Sequence, residues 1–134
     1  MTRETSRKYD SRRLLACVVG IAILLSPTLV SAERINIRFS PNTLNIGSEG
    51  KVVTIHTDVP YESVAAHTVF LNAVPISSWK ADDRGNFVAK FVMDEIKNIP
   101  GLVINAKNTF QFIGETTSGE EIWAETEVMV VNRG

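Results

Sequence analysis

Cysteine is missing from everything beyond residue 17, and Cys17 is the only one in the chain. The rest of the protein can form no internal disulfide and no thiolate metal site, so packing and hydrogen bonds must hold it together. Long apolar runs are also missing. The longest, Leu14–Leu25, has 12 residues, against the ~20 that cross a bilayer as a helix. Clusters of lysine and arginine are absent from residue 33 onward, where nine of the 14 basic residues face 13 of the 15 acidic ones. That part carries a formal charge of −4, repels a phosphate backbone and excludes nucleic acid as a partner. No amphipathic stretch of ten or more residues with helical period occurs there, which disfavours a doubly wound α/β fold. Histidine is scarce, with only His56 and His67.

What is present begins with a three-part leader. Five basic residues (Arg3, Arg7, Lys8, Arg12, Arg13) and two acidic ones (Glu4, Asp10) precede the apolar run, Pro27 follows it, and Val30-Ser31-Ala32 supplies the small residues a signal peptidase reads. The pattern predicts a signal peptide over residues 1–32, cleaved between Ala32 and Glu33, with an uncleaved anchor as the alternative. Ser11-Arg12-Arg13-Leu14-Leu15 resembles a twin-arginine export motif, and general secretion fits equally. Leu14-Leu15-Ala16-Cys17 imitates a lipoprotein box, but its apolar run follows the cysteine instead of preceding it. Either export route takes residues 33–134 out of the cytoplasm, to the periplasm or the exterior, with no membrane attachment after cleavage.

From residue 34 the hydrophobic pattern has period two. Ile35, Ile37 and Phe39 alternate with polar residues. So do Val53, Ile55 and Thr57, then Phe87, Ala89 and Phe91, then Ile122, Ala124, Thr126, Val128 and Val130. Thr68–Leu71, Leu102–Ile104 and Phe110–Ile113 also read as strands. Asp82-Asp83-Arg84-Gly85-Asn86 and Thr117-Ser118-Gly119-Glu120 read as turns, and Met93–Ile99 is weakly helical, stopped by Pro100-Gly101. Seven to nine short strands separated by turns predict an all-β, antiparallel sandwich. Its edges are expected at the first or last strand, with Lys90 or Arg38 protecting one of them.

Read in order, Pro41-Asn42-Thr43-Leu44-Asn45-Ile46, Ser48–Thr54, Thr68-Val69-Phe70-Leu71-Asn72, Val74-Pro75, Asp82–Asn86 with Ala89-Lys90-Phe91, and Gly114–Gly119 carry a resemblance. Together they resemble an immunoglobulin-like, cohesin-like β-sandwich domain repeated in secreted bacterial and archaeal proteins. The resemblance covers most of residues 35–131. It implies a sandwich fold and, through cohesins, protein–protein binding. The family's central turn is often a richer aspartate–glycine run of calcium-loop type, from which Arg84 and Asn86 depart.

The candidate chemistry is thin. Asp82, Asp83 and Asn86 offer hard oxygens for a calcium ion, fewer than the six or more a calcium site needs, so a plain turn is the simpler reading. His56 and Asp58, two apart on one strand face, would need His67 to approach a zinc-type set. Glu120, Glu121, Glu125 and Glu127 suggest paired carboxylates, although alternating acids also describe a solvated strand face. No nucleophile-elbow context accompanies any serine. Trp79 and Trp123 are the most informative large side chains: one is expected in the core, while an exposed one, Trp79 in particular, suits a sugar or a protein contact. No catalytic residue and no cofactor is expected. The expected role is a non-enzymatic binding or structural module for a protein partner, with a carbohydrate-binding module using an exposed tryptophan as the alternative.

Overall fold

The computed structural model describes residues 32–134. The expected leader, residues 1–32, lies outside the described residues except for Ala32. Ten strands form two sheets. In chain order they are β1 (Glu33–Arg34), β2 (Ile37–Ser40), β3 (Thr43–Asn45), β4 (Val52–Pro60), β5 (Val64–Leu71), β6 (Val74–Pro75), β7 (Ser78–Ala81), β8 (Asn86–Val92), β9 (Ala106–Thr116) and β10 (Glu121–Val131). One short helix, α1 (Met93–Lys97), follows β8. The architecture is an all-β sandwich.

The smaller sheet has the order β2-β4-β8-β7. The larger runs β1-β10-β9-β5-β6, and β3 pairs in parallel with the end of β10. The chain changes sheets between β2 and β3, at the cis Ser40–Pro41 peptide. Asn45 reinforces the seam between β3 and the C-terminus. Its Oδ1 accepts from the N–H groups of Arg133 (2.9 Å) and Gly47 (3.0 Å), and its Nδ2 donates to the Arg133 carbonyl (3.1 Å).

The period-two residues form the core, because side chains alternate faces along a strand and only one face of each sheet meets the other sheet. Val53, Ile55, Phe87, Ala89 and Phe91 of the smaller sheet face Leu44, Val69, Leu71, Phe110, Phe112, Ile122 and Val130 of the larger. The Phe39 and Phe110 rings meet across the gap with centroids 4.9 Å apart. Thr57 is the buried polar residue among the described ones. The ladder between β4 and β8 slips between His56 and Pro60. There the Thr57 hydroxyl donates to the Phe87 carbonyl at 2.7 Å, supplying a partner where the regular ladder is broken.

Several expectations change. Leu102–Ile104 is loop, because the Asn108 amide takes both backbone groups of Val103, at 2.8 and 2.9 Å, in place of a neighbouring strand. The strand expected at Thr68 begins four residues earlier and carries a bulge between Ala65 and Phe70. β7 has four exposed residues and hence no alternation to read. The last strand is no edge: β9 lines one side of β10, and β1 and β3 share the other. Lys90 lies on β8 between β4 and β7, so it guards no edge, whereas Arg38 does lie on the edge strand β2. Neither tryptophan is in the core. Trp79 is 44% exposed, and Trp123 is half-buried on the outer face of the larger sheet.

Candidate functional site

Three surface features gather the chemistry-bearing residues. The first is a polar groove of about 420 Å³ at one end of the smaller sheet. Arg38 on β2 sits directly opposite His56 on β4, and Asp58 lies two residues further along β4. The turn between β7 and β8 adds Asp82, Asp83, Arg84 and Asn86.

Within this groove the carboxylates already have partners. Asn36 donates its backbone N–H to Asp58 Oδ1 at 3.1 Å and its Nδ2 to Oδ2 at 2.7 Å. That clamp, led by the side-chain bond, holds the Asp58 pKa below its ordinary value. Asp82 Oδ1 accepts the N–H groups of Arg84 (2.8 Å) and Asn86 (2.9 Å) and closes the turn. The Asn86 bond is the main reason the Asp82 pKa is lowered. Burial, then the Arg38 charge, lowers the pKa of His56, which is therefore neutral at pH 7. Asp82 and Asn86 thus act through hydrogen bonds of the turn itself. Among the described residues no three of histidine, cysteine, aspartate and glutamate come together as a metal set. His67 lies on β5 and lines a different cleft, so the two histidines do not share a site.

That cleft is the second feature. It opens at the side of the sandwich, has a volume of about 380 Å³, and is lined by Tyr61, Val64, Ala66, His67, Trp79 and Phe87 among others. Trp79 is paired with the core residue Ala89 and so shares its face, but its strand lies at the sheet edge. One side of the indole therefore stays in solvent. Tyr61, in the 3-10 turn Tyr61–Ser63, stacks on Phe87 with centroids 6.2 Å apart. The cleft thus presents two partly exposed aromatic rings beside a strand edge that pairs with no further strand among the described residues. The Asp82 N–H donates to the Asn86 carbonyl at 2.9 Å. By the alternation of an antiparallel ladder, the backbone groups of Trp79 and Ala81 then point away from β8.

The third feature is the outer face of the larger sheet. The ladder aligns Arg34, Trp123, Ile113, Phe70 and Pro75 in one row across five strands. Ile113 is 43% exposed, and the Arg34 guanidinium lies 5.1 Å from the centre of the Trp123 ring. Glu125 and Glu127 share this face, as their spacing predicts, and both are exposed. By sequence, Trp79 and Trp123 are alternatives for one role. They lie on different sheets and serve different surfaces. The row through Ile113 and Phe70 has no sequence signal, because it is written across strands, not along one.

Comparison with known protein families, curated proteins and solved structures finds no match for this chain.

Proposed function

We propose that this chain is an exported, immunoglobulin-like sandwich that works as a non-enzymatic binding module through protein–protein contact. The observation carrying this reading is the free edge of β7, with Trp79 on it and Tyr61 beside it in the cleft. An edge strand offers unpaired backbone groups to an incoming strand, and a neighbouring aromatic pocket reads one of its side chains. Tryptophan is also among the residues most enriched at binding hot spots. Strand order supports the immunoglobulin-like part. The β2-β4-β8-β7 sheet corresponds to strands A, B, E and D of that fold, and β10, β9 and β5 to G, F and C. Export rests on the leader pattern of residues 1–32.

The carbohydrate-binding alternative draws on the same cleft, since Tyr61 and Trp79 both offer ring faces to a sugar. One experiment separates the two. A photo-crosslinking amino acid at position 79, introduced in the producing cell, yields a discrete protein adduct if β7 docks a protein. The same group at Asp94 on α1 serves as the control. No adduct at position 79, together with glycan binding abolished by Trp79→Ala, would replace the first reading by the second.

A further inference from the structure

The outer faces of the two sheets carry opposite charge, and their composition is complementary. On the larger sheet the row through Trp123 and Ile113 is flanked by four carboxylates: Glu115 and Glu121, paired across the ladder, on one side, and Glu125 and Glu127 on the other. All four are exposed. The bases of this face lie at its margins. Arg34 is on the edge strand, and Lys107 stands opposite Met129 at the far end of β9.

The smaller sheet presents the reverse. One row reads Arg38, His56, Val88, Lys80 across its four strands, and the next reads Ser40, Thr54, Lys90, Ser78. Its carboxylates, Asp58, Asp82 and Asp83, sit at one end beyond these basic rows, where Asp58 and Asp82 keep their charge while accepting hydrogen bonds from Asn36 and from the turn. Beyond Lys90 the paired Val52 and Val92 add an exposed apolar patch, 44% and 37% exposed. Each face thus combines a small apolar area with charge of a single dominant sign.

We infer that the acidic Trp123 face of one copy docks on the basic Lys80–Lys90 face of the next. Charge selects this arrangement over the alternatives. A two-fold dimer through the larger sheets would place Glu125 and Glu127 of one copy among the same carboxylates of the other, and like charges in juxtaposition are costly. A two-fold dimer through the smaller sheets would oppose Lys80 and Lys90 in the same way. The head-to-tail contact instead places the four carboxylates of one face on the Arg38, Lys80 and Lys90 charges of the other. The pair then keeps one acidic and one basic face free, so the contact continues into a row of molecules or closes into a ring. The contact uses the flat faces, not the β7 edge, and it stands or falls apart from the partner proposed above.

Sedimentation velocity on the purified chain tests it, from about 10 µM to about 1 mM protein, the range in which weak contacts populate. The sedimentation coefficient is expected to rise with concentration in ~0.02 M salt and to return to the monomer value in ~0.5 M salt, where such charges are screened. E125K/E127K and K80E/K90E are each expected to stay monomeric. Mixed in equal amounts they should associate again and grow as the parent does, because the two retained faces are complementary and so are the two reversed ones. A parent that stays monomeric throughout, association indifferent to salt, a charge-reversed variant that self-associates as the parent does, or a mixture that stays monomeric would each overturn the inference. If a reversed variant loses the cooperative thermal transition, E125Q/E127Q and K80Q/K90Q are substituted, with the same expected ordering in single and mixed samples.

Discussion

Gly114 offers the sharpest test of how the two halves of the core fit. It lies on the inward face of β9, opposite Ile122, in the stretch where β5 carries its bulge. A Cβ built there would lie 2.9 Å from Val69 Cγ2. Comfortable carbon contacts are ~3.5–4.0 Å, so the methyl arrives about 0.6 Å or more too close. Valine is stiff at χ1, and Val69 is fully buried, so the neighbour has little room to yield. Overpacking of this kind costs about 1–3 kcal/mol. Alanine at a compatible backbone recovers about 0.4–1 kcal/mol by restricting the unfolded chain. Gly114→Ala should therefore destabilise the fold by about 1–2 kcal/mol. Val69→Ala alone should cost about 2 kcal/mol, from two lost methyl groups and the cavity they leave. In the double variant the new methyl of residue 114 occupies space that Val69 vacates. It should be more stable than the sum of the single effects by about 1 kcal/mol or more. Urea denaturation of the four proteins measures each value. Additivity within ~0.5 kcal/mol would refute the claim that these two positions compete for one volume.

Thr57→Val keeps the buried volume but strands the Phe87 carbonyl, so a loss of about 1–3 kcal/mol is expected, read as a lowered midpoint in thermal melting. Asp58→Ala removes both bonds from Asn36 at an exposed site and should cost about 1 kcal/mol at neutral pH. Because the Asp58 pKa is depressed in the fold, its contribution is present above the ordinary value of 3.8 and is lost as pH falls through the folded value. The variant should therefore show a shallower acid limb in a plot of stability against pH. His56 is also depressed, and its slope has the same sign at higher pH: below its ordinary value of 6.5 the unfolded chain takes up the proton first. Stability then falls as pH drops from 6.5 through the folded value, and His56→Gln should remove that part of the slope in denaturant titrations from pH 8 to 5. Acrylamide quenching should be stronger for the lone Trp79 of Trp123→Phe than for the lone Trp123 of Trp79→Phe, and Arg34→Ala should raise quenching of Trp123 by uncovering its ring.

The residues pointing inward on β2, β4, β8 and β10 were legible from the sequence because burial on one face imposes alternation on the strand itself. Ile122 to Val130 shows this, with Ile122, Ala124, Val128 and Val130 all buried. The Thr117–Glu120 turn and the helical turn at Met93 were legible for similarly local reasons. β7 was not, since an edge strand with four exposed residues needs no pattern of its own. Leu102–Ile104 misled for another reason: its residues suit a strand, but the side chain of Asn108, five residues after Val103, took the Val103 hydrogen bonds.

The composition and local order of the chain by themselves determined the fold class, the lack of disulfides and the inward set of side chains, because each depends on neighbours a few residues apart. Only the tertiary structure decided which strands became edges, that Trp79 and Trp123 serve separate surfaces, and that one outer face is acidic and the other basic. Those properties belong to rows running across strands, and a row exists only after ladder registers bring residues as distant as Arg34, Phe70 and Trp123 side by side.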